Sequence, residues 1–128
     1  MSLSKYRPYI GIVYEAPHGC FKLVDQVFNG VYGIDLGDLD EGLHDAESKD
    51  RTARVQQELS RLTEQVDGEP QEGDVAIIRG RPWHIAVVIG EGKLLHAYAS
   101  GTSCVEEYMS PRLANRVEGF YRYKGFAK

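Results

Sequence analysis

Between Cys20 and Val31 the apolar side chains recur at the spacing of one helix face. Cys20, Leu23, Val24, Val27, Phe28 and Val31 share a stripe, and Gly33 is placed to end the helix as a C′ residue. Upstream, Pro8, Gly11, Pro17 and Gly19 interrupt the chain too often for a long element, so a short helix or turn near Tyr6 to Ile10 and then a loop through Tyr14 are predicted. A second helical period (Val55, Leu59, Leu62, Val66) predicts a helix over Arg51–Val66, ended by Asp67-Gly68-Glu69-Pro70. Beyond Pro70 the pattern shortens to that of strands, predicted at Val75–Arg79, His84–Ile89, Lys93–Tyr98, Ser103–Tyr108 and Gly119–Tyr123. Helices followed by consecutive short strands predict an α+β fold with an antiparallel sheet, not alternating βαβ units.

The strands around Gly90 carry the most information. Ile85 to Ile89 form an apolar run, Gly90-Glu91-Gly92 supply a turn, and Leu94 and Leu95 resume the strand. Pairing about the centre of that turn would set His84 beside His96 at the open end of a hairpin. An imidazole orienting a second imidazole is half of a thiol-dependent hydrolytic site.

Composition narrows the setting. The 128 residues fit one domain over 1–128, and 42% hydrophobic with 27% charged residues is ordinary for a globular chain. A formal net charge of −4 argues against nucleic acid as a partner. Two cysteines make no disulfide framework, and no apolar stretch reaches the ~20 residues of a membrane span. Without a signal-peptide pattern the chain is expected to be made in the cytoplasm. The acidic stretch from Gly37 to Asp50 lacks the ligand spacing of a calcium loop and reads as solvated.

Cys20 is the candidate nucleophile. A thiol at a helix start feels the positive end of the helix dipole and nearby N–H donors, which favour the thiolate and could hold an oxyanion. The competing reading is a small apolar residue on the core face of its helix. With Cys20 as nucleophile, His84 would take the thiol proton and His96 would hold the ring of His84. His18, Phe21 and Trp83 could line such a site, whereas His44 is given no role and Cys104 is read as core. Cys20, His84 and His96 could also ligate zinc, but no closely spaced ligand pair pre-organises them, so neither metal nor other cofactor is expected.

In order along the chain, Gly11-Ile12-Val13-Tyr14, Cys20-Phe21-Lys22-Leu23-Val24, Tyr32-Gly33-Ile34-Asp35-Leu36, Arg51-Thr52-Ala53 with Gln56, Glu72-Gly73-Asp74-Val75, and His84 to Gly90 through His96-Ala97 resemble the NlpC/P60 family of cysteine peptidases. The resemblance implies a papain-like α+β fold with N-terminal helices packed on a five- to six-stranded antiparallel sheet. It implies Cys20 as nucleophile, His84 as base, His96 as the orienting residue and Tyr14 near the oxyanion. The implied partner is a peptidoglycan stem peptide, cut between D-glutamate and a diamino acid. Where the family usually reads Asp-Cys-Ser-Gly, this chain reads Gly19-Cys20-Phe21-Lys22. Phage tail-associated relatives often carry Cys-Phe there, which points to a phage or prophage origin with tail proteins as partners and work in a virion or at the cell wall. The alternatives are an inactive tail-assembly module on the same fold, or acyl transfer by the same residues.

Overall fold

A computed structural model describes residues 4–13, 19–35, 57, 60–79, 84–97, 102–111 and 113–127. The helix α1 runs over Gly19–Tyr32. Its stripe is buried as the periodicity requires: Cys20, Leu23, Val24, Val27 and Phe28 are all 4% exposed or less, with Val31 packed against them. Gly33 ends it with a φ of 68°, and its N–H donates to the carbonyl of Asn29 at 3.2 Å, the closing bond of a left-handed cap.

Six strands follow: β1 (Thr63–Gln65), β2 (Val75–Ile78), β3 (His84–Gly90), β4 (Lys93–Ala97), β5 (Ser103–Glu107) and β6 (Val117–Tyr123). They form one sheet in the order β1-β6-β2-β3-β4-β5, every pairing antiparallel. The chain therefore has the α+β architecture, with the helix against the strands that follow it. Among the described residues no helix is long and apolar enough to cross a membrane.

One predicted element changes type. Thr63–Gln65, the end of the expected second helix, is a strand paired with Tyr121–Tyr123. Residues 57 and 60–62 are helical, and the rest of that prediction lies outside the described residues. Leu62 and Val66 keep helical spacing, yet Thr63 is β-branched and buried, and pairing with a strand almost sixty positions later overrides local preference.

Strand alternation divides the core into two layers. On the α1 side lie Val75, Ile77, Ile85, Val87, Ile89, Leu95 and Ala97, packed with Tyr6 and the helix stripe. On the other side lie Ala76, Ile78, Ala86, Val88 and Leu94, covered by Leu113 and by half-buried Tyr108, Val117 and Phe120.

Two polar devices lock the frame. Asp74, fully buried, accepts both Nε and a terminal nitrogen of Arg122 at 2.9 Å, and its Oδ2 also accepts the N–H of Gln71 at 2.7 Å. This fork ties the start of β2 to β6. A 3₁₀ helix over Ser4–Tyr9 carries the second. The Tyr6 hydroxyl donates to the Glu72 carboxylate and meets the Tyr32 hydroxyl, while Lys5 reaches Glu72 at 2.6 Å.

The same N-terminal segment lies along β5. Gly11 N–H donates to the Ser103 carbonyl at 2.9 Å, and Ser103 N–H donates to the Ile12 carbonyl at 2.8 Å. Val13 and Thr102 form an antiparallel bridge. The Ser103 hydroxyl, buried, donates to the Tyr9 carbonyl at 2.6 Å and accepts from Ile12 N–H at 3.0 Å.

Candidate active site

Cys20 is the second residue of α1, so its thiol sits in the helix's first turn, where backbone N–H groups lack intrahelical acceptors. It is 4% exposed and belongs to the layer formed with Leu23, Val24 and the α1 side of the sheet. Neither cysteine is in a disulfide. The helix start supplies the field and the donors that a thiolate needs, and the packed stripe behind it fixes where the sulfur lies.

His84 opens β3, with its Cα paired to Ile78 of β2. For Phe21 and His84 only the backbone is described, and Tyr14, His18 and Trp83 lie outside the described residues altogether. His96 lies in the middle of the sheet's outer half, on β4, and is completely buried.

The hairpin forms with a register different from the one predicted. Val87 pairs with Leu95 and Val88 with Leu94, so position 96 falls opposite Ala86 and position 84 lies two residues farther along. The cause is the turn. Only Glu91 and Gly92 form it, with φ of 55° and 74°, as a two-residue turn of the primed type requires. A bulge between Val88 and Gly90 then shifts the ladder. The histidine positions remain on one face but are diagonal neighbours, not a facing pair.

What His96 does meet is a pair of β5 residues. Its Nε2 is 2.8 Å from Glu106 Oε1 and 3.8 Å from Cys104 Sγ. The register explains it: His96 pairs with Cys104, and Glu106 is two residues along the same strand on the same face. Leu95 and Ala97 belong to the layer of α1 and Cys20, and Leu94 to the opposite layer, so alternation places His96 on the side away from α1. The structure thus brings His96 together with Cys104 and Glu106, while Cys20 stands in the other layer. Cys104 is half-buried beside an imidazole, not a plain core residue. The signal was present in the sequence. His96 and Cys104 are equidistant from Ser100, so a hairpin about that point brings them together even though they are eight residues apart.

Electrostatic perturbation concentrates at the tyrosine cluster instead. Burial pushes the Tyr6 hydroxyl far above the usual tyrosine range, and its bond to Glu72 adds to this. Burial likewise pushes Tyr32 up to about 12, against its hydrogen bond with the Tyr6 hydroxyl and with the charges of Glu72 and Asp74. Burial works to raise the Glu72 carboxyl, but the bonds from Lys5 and Tyr6 outweigh it and hold it below the usual range. These groups join the end of α1 to the start of β2, far along the helix from Cys20, and serve architecture.

No family model and no curated protein matches the chain. Among solved structures it is similar to a Staphylococcus aureus protein described as similar to a lipoprotein of the NLP/P60 family, with a TM-score of 0.60 at 17% identity. That likeness covers 94% of this chain and 39% of the staphylococcal one, so the chain spans about two fifths of that protein's length. The fold is that of an NLP/P60 protein.

Proposed function

We propose that the protein is a cell-wall peptide hydrolase of the NlpC/P60 kind that uses Cys20 as nucleophile. The observation that carries this reading is the seat of Cys20 in the first turn of α1, on a fold shared with an NLP/P60 protein. In the reaction, the Cys20 thiolate attacks the scissile carbonyl carbon, and N–H groups of the helix start hold the oxyanion. The C–N bond breaks as His84 gives the leaving amine the proton taken from the thiol. A water molecule, deprotonated by His84, then attacks the thioester, releasing the acid and restoring the thiolate. Tyr14 is assigned to the oxyanion side, and His18, Phe21 and Trp83 to the walls. His96 enters only through Nδ1, since Nε2 is shared with Glu106. A phage or prophage origin, with action at the cell wall, belongs to the same proposal and rests on the Cys20-Phe21 pair.

A second reading is favoured by one observation: positions 84 and 96 fall on the sheet face opposite the layer of Cys20, and the His96 ring is engaged by β5. On that reading the chain keeps the fold as an assembly module without hydrolytic turnover. Release of free amine from a D-glutamyl-diamino acid stem peptide, with Cys20→Ala alongside, decides between them. Turnover that disappears in the variant supports the peptidase. No turnover, together with alkylation of Cys20 that follows an ordinary thiol pKa of ~8.5, supports the module.

A further inference from the structure

The trio on the outer strands has a chemistry that the hydrolase reading does not use. His96 Nε2, Cys104 Sγ and a Glu106 carboxylate oxygen all lie within 4.8 Å of one another. Imidazole, thiolate and carboxylate are the three ligand types zinc prefers. We infer that His96, Cys104 and Glu106 form a three-ligand site for a divalent metal of the zinc class, with a water molecule completing the tetrahedron.

Geometry, charge and access each support this. Zinc bonds of about 2.3 Å to sulfur and about 2.0 Å to nitrogen and oxygen place tetrahedral S and N about 3.6 Å apart, and N and O about 3.3 Å apart. The observed S–N and N–O separations are 3.8 Å and 2.8 Å, and all three donor atoms lie within 4.8 Å, so side-chain shifts of about an ångström bring them to a common metal. The two-strand register sets the ligand positions: His96 and Cys104 are directly paired, and Glu106 is one step along. Charge closes as well. A dication with one thiolate and one carboxylate is neutral, which suits a site whose imidazole is wholly buried. On binding, the thiol gives up its proton and the neutral imidazole keeps its proton on Nδ1, leaving Nε2 for the metal. Access is through the sheet edge, since β5 is the outer strand and the Glu106 side chain is 20% exposed.

Cobalt(II) titration of the full chain after chelation tests it. Cobalt is the probe because thiolate ligation gives it a charge-transfer absorption that oxygen and nitrogen ligands do not. The expected result is one equivalent bound with that absorption, displaced by zinc, retained in Cys20→Ser and lost in Cys104→Ser. Glu106→Gln should weaken binding on the order of 10-fold or more. No such absorption in the unmodified chain, its survival in Cys104→Ser, or its loss in Cys20→Ser overturns the site. Circular dichroism checks that each variant is folded. Should Cys104→Ser fail to fold, alkylation of the unmodified chain replaces it: zinc should shield Cys104 from iodoacetamide, read peptide by peptide, and unshielded Cys104 overturns the assignment.

Discussion

On the α1 side of the sheet, the described residues place Cys20 at one end of the helix and the Tyr6–Tyr32–Glu72 cluster near the other. On the opposite side an imidazole is buried outright, and the neighbouring strand supplies its partners. The first arrangement places one thiol where a helix end meets the sheet. The second gathers three donor atoms across adjacent strands, where the two-residue side-chain period aligns them. A helix stripe therefore suits a single nucleophile with backbone assistance. A paired strand edge suits coordination by several side chains.

The largest expected effect belongs to the α1 side. Under the peptidase reading, Cys20→Ala lowers stem-peptide turnover on the order of 10⁴-fold or more, while denaturant unfolding moves by less than ~2 kcal/mol. Retained turnover in that variant would remove Cys20 as nucleophile and shift attention to the thiol on the other face.

Next in size is the fork that holds the frame beneath both layers. Arg122→Ala leaves the buried Asp74 carboxylate without its counter-charge and should cost about 3–5 kcal/mol in urea unfolding. Asp74→Asn in the same background should recover part of that loss; an additive second loss would show that the two side chains act independently.

A direct comparison of the layers comes from two buried leucines. Leu23→Ala and Leu94→Ala each fall in the range of roughly 2–5 kcal/mol, with the larger cost at Leu23. Leu23 is held between helix and sheet, whereas the layer of Leu94 is roofed in part by half-buried Tyr108, Val117 and Phe120, which can settle into the space. Equal costs would mean that the outer layer is as rigid as the inner one.

The fold was legible where a single element decides its own period. The α1 stripe and its Gly33 cap could be read directly, because burial on one face imposes the helical repeat whatever lies opposite. The hairpin's existence was equally plain, but its register depended on whether Gly90 belongs to the turn or to a bulge, which spacing alone does not settle. β1 was hidden because Leu62 and Val66 satisfy a helical period and the pairing partner is remote. β6 begins at Val117, two residues earlier than the pattern suggests, because Val117 pairs with Ile78 across a register shift. At the candidate site, Cys20 and the two histidine-bearing strands were readable from the chain. The partnership of His96 with Cys104 and Glu106 was signalled only by the symmetry of positions 96 and 104 about Ser100, and it becomes definite once β4 and β5 are aligned.

The smallest expected effect is a pH dependence at the tyrosine cluster. Tyr32 titrates near 12 in the folded chain, above the ordinary value near 10, so its contribution is complete below about pH 10 and is lost as pH rises from there towards 12. Glu72 is shifted the other way, and its contribution is present above the ordinary carboxylate range of ~4.3 and lost as pH falls through its lowered value. Tyr6→Phe removes one of the bonds that hold Glu72 low and should flatten the acid limb of a stability–pH curve measured by thermal unfolding. An unchanged curve would place the cluster outside the stability-determining set.

The contact of residues 11–13 with β5 bears on how the protein behaves at high concentration. An exposed outer strand is a template on which another chain can add a strand of its own. Here Gly11 and Ile12 occupy the outward N–H and carbonyl of Ser103, and Glu106 and Glu107 charge the remainder of the strand. The opposite margin of the sheet, β1, offers only three residues, two of them exposed and polar. Strand-by-strand stacking into fibrils is thereby discouraged at both ends of the sheet, and loss of the N-terminal clasp would reopen one of them.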